Sequence, residues 1–216
     1  MYVDAALGAR LASLGVRDSK KVSDRRVHEL AELIKKEAPG RYAVTPINPP
    51  KFNDLYARFA KEKKNLNSLL AWGHARSIDR ALSAPAGRDV RPTFILVDQF
   101  ADARYIEERT QRAGIPVCQR PKAEDDIAVA AASILARDAF LQWLNKWSGL
   151  VGLELPKGAS SQVIEAGKLF VRRWGRQRLA DVAKLSFRTT KQVLEGEEDN
   201  ASVPVAPWAT AAELTI

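Results

Sequence analysis

The sequence predicts an α/β domain with at least one parallel pair of strands. A short apolar run at residues 93–98 has the length and side chains of a buried strand, and residues 115–121 form another short predicted strand. A helical pattern ending at a glycine separates them, and a long alanine-rich helical segment at 125–147 follows the second. The order strand, helix, strand, helix is typical of an α/β fold.

The rest of the chain supports this class with further helices. "MYV" resembles the end of a strand, and the alternation in "RYAVTPI" at 41–47 predicts another. Ser23 is positioned to cap a helix whose apolar residues recur at helical spacing. The remaining helical patterns cover residues 5–15, 49–59, 66–82, 157–175 and 177–185. The segment from residue 195 to 216 is acidic and contains proline, and we expect it to be a mobile tail after one domain at 1–194.

The charge indicates a polyanionic partner. The net charge is +8, and all 34 Lys and Arg residues precede residue 192, whereas five of the 26 acids follow Lys191. The strongly basic segment 1–191 indicates nucleic acid as the partner more than a membrane surface, because no basic helix with a large aromatic face is evident. A generic solvated surface is the alternative interpretation of the same charge.

Several classes of protein are disfavoured. The single cysteine, Cys118, permits neither an internal disulfide nor a cysteine zinc cluster, and it fits a reducing cytoplasm. Two histidines make a histidine-rich metal site or a Ser-His-Asp hydrolase improbable. The longest apolar run, 127–136, is too short to span a bilayer, and the N-terminus lacks the features of a signal peptide.

Two carboxylates stand where open α/β sheets place their sites. Asp98 ends a predicted buried strand, and Glu124 precedes the alanine-rich helix. Asp98 could instead cap a helix or lie at the surface, and Glu124 could simply complement a helix dipole. Together, carboxylates without histidine or cysteine form a hard oxygen site for Mg²⁺ or Mn²⁺. On a basic protein, this is the chemistry of phosphodiester hydrolysis.

A series of motifs then identifies a family. "GVRDSKKVSD" (15–24), "KFNDLY" (51–56), "ILVDQFA" (95–101) and "KAEDDIAVAAASILAR" (122–137) occur in this order. With "NLNSLLAWGHARSI", "LPKGAS" and "AKLSFRTTKQVL", they resemble the type 2 ribonuclease H family, and ribonuclease HIII more than HII, over residues 1–194. The resemblance implies a ribonuclease H-like fold: a central mixed sheet flanked by helices, with a helical C-terminal part. It also implies endonucleolytic cleavage of RNA in RNA/DNA hybrids, with Mg²⁺ or Mn²⁺ as cofactor.

The resemblance also implies site residues. Asp98 and Glu124 match the third and fourth of the family's four metal-binding carboxylates, and Asp125 is an alternative to Glu124 because the chain is one residue shorter after "KAE". The residues that match substrate-facing motifs are Ser19, Lys20, Lys21, Lys157, Thr189 and Thr190. Capping by Ser19, solvation of the lysines and core packing of the five tryptophans are the structural alternatives. "LPKGAS" lacks the tyrosine of the HII type, which favours action on longer hybrids.

The first two family carboxylates, an adjacent Asp-Glu in a glycine-rich strand, have no match, and Asp4 is a poor substitute. We therefore expect the sequence to be a fragment of a longer reading frame, with doubtful activity by itself. The alternatives are a non-catalytic hybrid-binding protein and a basic Mg²⁺-dependent nuclease of another class. A monomer without membrane attachment is expected in each case.

Overall fold

The computed structural model describes residues 1–83, 92–102, 104–106, 114–196 and 208. The chain divides into two compact units. The first comprises residues 1–45 and 63–140, and the second comprises residues 46–62 and 141–216. The prediction of one domain at 1–194 stays a prediction, because this division into units reflects how closely segments pack and does not test that boundary.

Within the described residues, the first unit has three helices before its sheet. They are α1 (Ala5–Ser13), α2 (Asp24–Glu37) and α4 (Leu66–Ser83), with a 3₁₀ turn at Ser19–Lys21. Ser23 caps α2 as predicted, since its side chain accepts a hydrogen bond from the N–H of Arg26 at 3.3 Å. The apolar face of α2 is fully buried, which explains the helical spacing of these residues: Val27, Leu30, Ala31 and Ile34.

The sheet of the first unit has two strands within the described residues. Strand β1 (Ile95–Asp98) pairs in parallel with β2 (Val117–Arg120), and Asp98 is opposite Arg120. Both predicted strands and their parallel order are therefore confirmed. Val97 of β1 is buried together with Ala71 of α4 and Ile106. The predicted helix between the strands lies mostly outside the described residues.

The strand predicted at residues 41–47 is wrong. These residues join no sheet ladder, although the N–H of Tyr2 donates to the carbonyl of Arg41 at 2.7 Å. "MYV" is likewise not assigned to a strand. Alternation describes which side chains face a core, but a strand also needs a neighbouring backbone to complete its hydrogen bonds.

Helix α5 (Ile127–Val151) contributes residues to both units. Its length and composition would suffice to cross a membrane, and in the described part of the chain it alone meets that test. This test gives only weak evidence for a membrane span, because a core helix of a soluble protein passes it too. In the middle of α5, Arg137 pairs with Asp24 at 2.6 Å, and Asp138 pairs with Lys35 at 3.2 Å. These ion pairs join α5 to α2.

The described part of the second unit is helical. It contains α3 (Pro49–Lys61), α6 (Ser161–Trp174), a 3₁₀ turn at Arg176–Arg178, α7 (Leu179–Val182) and α8 (Arg188–Leu194). Its core is aromatic, as the packing interpretation of the tryptophans predicted. Trp208 is buried against Trp147, Phe170 and Trp174. Trp208 falls in the predicted mobile tail, and the other residues from 197 to 216 lie outside the described part of the chain.

Candidate metal and nucleic-acid site

Asp98 occupies the carboxyl end of the parallel pair. Its Oδ1 accepts a hydrogen bond from the backbone N–H of Ala123 at 3.0 Å. The contact joins the end of β1 to the turn that follows β2, and it places the Asp98 carboxylate beside the backbone of Glu124. The capping role considered for Asp98 therefore does not involve the segment after Phe100. There, Asp102 accepts from the N–H of Arg104 at 3.0 Å.

The turn that carries Glu124 has a defined conformation. Lys122 adopts a left-handed backbone with φ of 55°, and a 3₁₀ turn at Ala123–Asp125 follows. Helix α5 is capped by Asp126, whose Oδ1 accepts from the N–H of Ala128 at 2.8 Å. Glu124 therefore lies in the 3₁₀ turn before the cap of α5 and not in the first turn of that helix.

Glu124 has one carboxylate oxygen without a hydrogen-bond donor. Its Oε2 is buried and unpartnered among the described residues, while its Oε1 lies 3.5 Å from the Nζ of Lys20. A buried acceptor without a donor destabilises a fold by about 1–3 kcal/mol. A hard cation is the partner that such an oxygen fits, and the nearby Asp98 carboxylate supplies the same ligand type. The donor set therefore fits Mg²⁺ or Mn²⁺.

Asp125 has a different environment. Its Oδ1 accepts a hydrogen bond from the Nη2 of Arg120, and its side chain is 67% exposed. The hydrogen bond from Arg120 is the main reason that the pKa of Asp125 is lowered. Arg120 thus already provides a cation for Asp125, whereas Glu124 retains a free oxygen. Of the two candidates for the fourth carboxylate, Glu124 has the environment that fits a metal ligand.

His74 is a neighbour of the site that the sequence did not indicate. Its ring stacks on Phe100 with centroids 5.1 Å apart. Burial lowers the pKa of His74, although the negative charge of Asp98 acts in the opposite direction. Burial therefore favours the neutral form of the imidazole. The position of His74 on helix α4 gives no local signal of this proximity, since 24 residues separate it from Asp98.

The "DSKK" motif meets the acidic turn through Lys20. The Asp18 side chain accepts from the N–H of Lys20 at 3.0 Å and begins the 3₁₀ turn. Ser19 is buried, and its Oγ lies 2.7 Å from the Oγ of Ser133. Asp18 rather than Ser19 is thus the cap, and Ser19 connects the turn to helix α5. Lys20 and Lys21 are exposed, as substrate-facing side chains must be.

The other substrate candidates lie in the second unit. Lys157 is exposed in the loop before α6, and Ser160 begins that helix without a side-chain capping bond. Thr190 is buried, and its Oγ1 donates to the carbonyl of Lys184 at 2.9 Å, so its hydroxyl already has an internal partner. Thr189 is partly exposed. Of the three substrate candidates in the second unit, Lys157 and Thr189 are therefore the ones accessible to a substrate.

A second group of metal-ligand side chains occurs where α2 meets α5. Potential ligand atoms of His28, Glu32 and Asp138 lie within 4.8 Å of one another. The Nζ of Lys35 lies 2.7 Å from Glu32 and 3.2 Å from Asp138. The lysine therefore occupies the position that a metal would need, and the group is explained as a partly buried ion-pair network.

Known proteins provide an independent comparison with this geometry. The Ribonuclease HII family profile matches residues 1–190. The chain is 42% identical over 196 residues to ribonuclease HIII of Protochlamydia amoebophila, a match that covers 90% of this chain and 62% of that protein. It is 37% identical to ribonuclease HIII of Geobacillus kaustophilus, with 90% and 61% covered. The chain thus spans less than two thirds of the length of these relatives.

Solved structures agree. The crystal structure of Bst-RNase HIII in complex with Mn²⁺ superimposes with a TM-score of 0.78 at 33% identity, covering 90% of this chain and 62% of that one. The structure of Aquifex aeolicus RNase H3 gives a TM-score of 0.63 at 27% identity, with 86% and 64% covered. These neighbours confirm the predicted ribonuclease H-like fold. The chain therefore belongs to the ribonuclease HII family of type 2 ribonucleases H, and within it is more similar to the HIII type.

Proposed function

We propose that the protein is an endoribonuclease that cleaves the RNA strand of RNA/DNA hybrids by metal-dependent phosphodiester hydrolysis. The observation that carries the proposal is the buried Oε2 of Glu124, which has no hydrogen-bond partner among the described residues and belongs to the same turn as the Ala123 N–H that binds Asp98. Family membership and a structural neighbour that binds Mn²⁺ give this site its chemistry.

In this proposal Asp98 and Glu124 are ligands of Mg²⁺ or Mn²⁺. The cation, when bound, would activate water and stabilise negative charge on the scissile phosphate. The chain's own residues hold the ligands in place: the Ala123 N–H orients Asp98, and Asp126 begins the helix behind Glu124. Asp125 remains with Arg120.

In this proposal each of the two units contributes exposed side chains that contact the substrate. Lys20, Lys21 and Lys157, with Thr189, are the exposed candidates for contacts with the nucleic-acid backbone. Such contacts position a hybrid without reading its sequence. We infer a monomeric cytoplasmic protein without membrane attachment, consistent with its single cysteine and with ion pairs at the centre of α5.

The test compares three labelled substrates, an RNA/DNA hybrid, duplex RNA and duplex DNA, in the presence of Mn²⁺. The protein should cleave the hybrid alone, and Glu124→Gln should abolish cleavage while leaving hybrid binding intact. Binding of the hybrid without cleavage by the wild-type protein would instead establish the non-catalytic alternative. Equal cleavage of duplex DNA would overturn the assignment of substrate.

A further inference from the structure

We propose that Arg137 is a positioning residue that sets Lys20 against Glu124. The guanidinium of Arg137 donates through Nη1 to the carbonyl of Ser19 and through Nη2 to Asp24 at 2.6 Å. It therefore holds both ends of the segment that carries Lys20. This role rests on the proposed function, in which Lys20 and Glu124 belong to the hybrid- and metal-binding site.

Helix α5 provides a common support for the two charged groups. Its residues Ser133 and Arg137 are four positions apart, so they lie on one face of the helix. Ser133 contacts the Ser19 hydroxyl at 2.7 Å, and Arg137 binds the Ser19 carbonyl. The same helix begins directly after the turn that carries Glu124. The backbone next to Lys20 and the turn that carries Glu124 are thus both attached to one helix.

The geometry requires an arginine. Only a planar guanidinium can donate to a carbonyl and a carboxylate in one fixed fork, whereas a lysine ammonium lacks that shape. Arg137 is itself only about one quarter exposed, and Ser19 is buried, so the link is shielded from water. The Lys20 side chain is 74% exposed, so its position depends mainly on where the backbone of residue 20 is held. Without the fork, the Lys20 ammonium should lose its fixed distance from Glu124.

The first measurement is the acetylation of Lys20 relative to its neighbour Lys21, quantified by mass spectrometry on the folded protein. Arg137→Gln and Arg137→Lys should both raise this ratio severalfold, because each variant releases the Lys20 amine from its contact with Glu124. Arg10→Gln is the matched control: it removes an exposed arginine that pairs with Glu37 at 2.9 Å, and it should leave the ratio unchanged. Thermal unfolding selects variants that remain folded.

The second measurement is the salt dependence of hybrid binding. Lys20→Ala should reduce the slope of log K against log salt by about 1. Arg137→Lys should produce the same reduction although charge is retained, and adding it to Lys20→Ala should change nothing further. An unchanged acetylation ratio in both Arg137 variants, or additive effects in the double variant, would overturn the proposal. If the wild-type protein fails to bind the hybrid, the proposed function fails, and the acetylation ratio still decides the role of Arg137.

Discussion

The carboxylate of Asp98 accepts a hydrogen bond from the backbone N–H of Ala123, 25 residues later in the chain, at 3.0 Å. This one contact joins the end of a buried strand to the turn that presents Glu124. It uses Oδ1 of Asp98, so the second carboxylate oxygen is left for other partners. The contact therefore combines a structural role with a role in the proposed metal site, and substitutions can separate the two.

Asp98→Asn should separate charge from hydrogen bonding. The amide oxygen of asparagine can still accept from Ala123, so the free energy of unfolding should change little. Asp98→Ala removes the acceptor, and the unsatisfied N–H should cost about 1–3 kcal/mol, measured by urea unfolding. Both variants should lose Mn²⁺ binding in isothermal titration. Equal stability of the two variants would show that the Ala123 contact contributes nothing.

Glu124 and Asp125 can be distinguished by their response to Mn²⁺. Mn²⁺ at ten times its Kd should stabilise the wild-type protein by about 1.4 kcal/mol, because it binds only the folded state. Glu124→Gln should abolish this stabilisation in a thermal melt. Asp125→Asn should retain it, since that carboxylate already pairs with Arg120. The reverse pattern would make Asp125 the ligand, as the shortened motif allowed.

Lys157 should contribute to hybrid binding and not to the metal site. Lys157→Ala should weaken affinity for the hybrid and lower the salt slope by about 1, as expected for one lost phosphate contact. The Mn²⁺ response should stay at the wild-type value. Lys36→Ala, which removes an exposed lysine of α2, is the control and should have a smaller effect. A flat salt dependence of the wild-type protein would contradict the electrostatic interpretation of its charge.

The sequence predicted the strand that ends at Asp98 because four apolar residues precede an acid, a pattern that local chemistry determines. Glu124 as a metal ligand, taken from a motif, stays a prediction. His74, Ser133 and Arg137 lie within the quoted motifs, but the sequence assigned them no role, because their contacts join residues far apart in the chain and no periodicity records them. The strand at 41–47 was wrong for a related reason, since alternation reports burial and not the presence of a pairing neighbour.

Asp4 should stabilise the protein in a pH-dependent way. A hydrogen bond from the N–H of Leu7 is the main reason that the pKa of Asp4 is lowered, and Arg41 adds to this effect. A lowered pKa contributes stability above the ordinary value of 3.8, and this contribution is lost as the pH falls through the folded-state pKa. Asp4→Asn keeps an acceptor for Leu7 but removes the charge.

The Asp4→Asn variant should therefore be less stable than the wild type at pH 7, and the difference should shrink below pH 3.8. Urea unfolding across this range measures it. Arg41→Gln should produce a similar pH dependence, because it removes the charged partner of Asp4. A difference that does not vary with pH would show that packing, rather than the carboxylate charge, is responsible.

Gly167 permits helices α6 and α8 to approach closely. A Cβ atom at this position would lie 2.5 Å from Cγ2 and 3.0 Å from Cγ1 of Val193, which is buried. Overpacking of this kind costs about 1–3 kcal/mol. The better helix propensity of alanine offsets about 1 kcal/mol of that cost, so Gly167→Ala should destabilise the protein by up to about 2 kcal/mol in urea unfolding.

Gly149→Ala provides the control, because no atom lies within 4 Å of a Cβ at that position of helix α5. That substitution should stabilise the protein by about 0.5–1 kcal/mol. Adding Val193→Ala to Gly167→Ala should recover part of the loss, because the smaller side chain makes room for the new methyl group. If the double variant loses less stability than the sum of the two single variants, the strain lies between Gly167 and Val193. Additive losses would place the effect of Gly167→Ala elsewhere in the second unit.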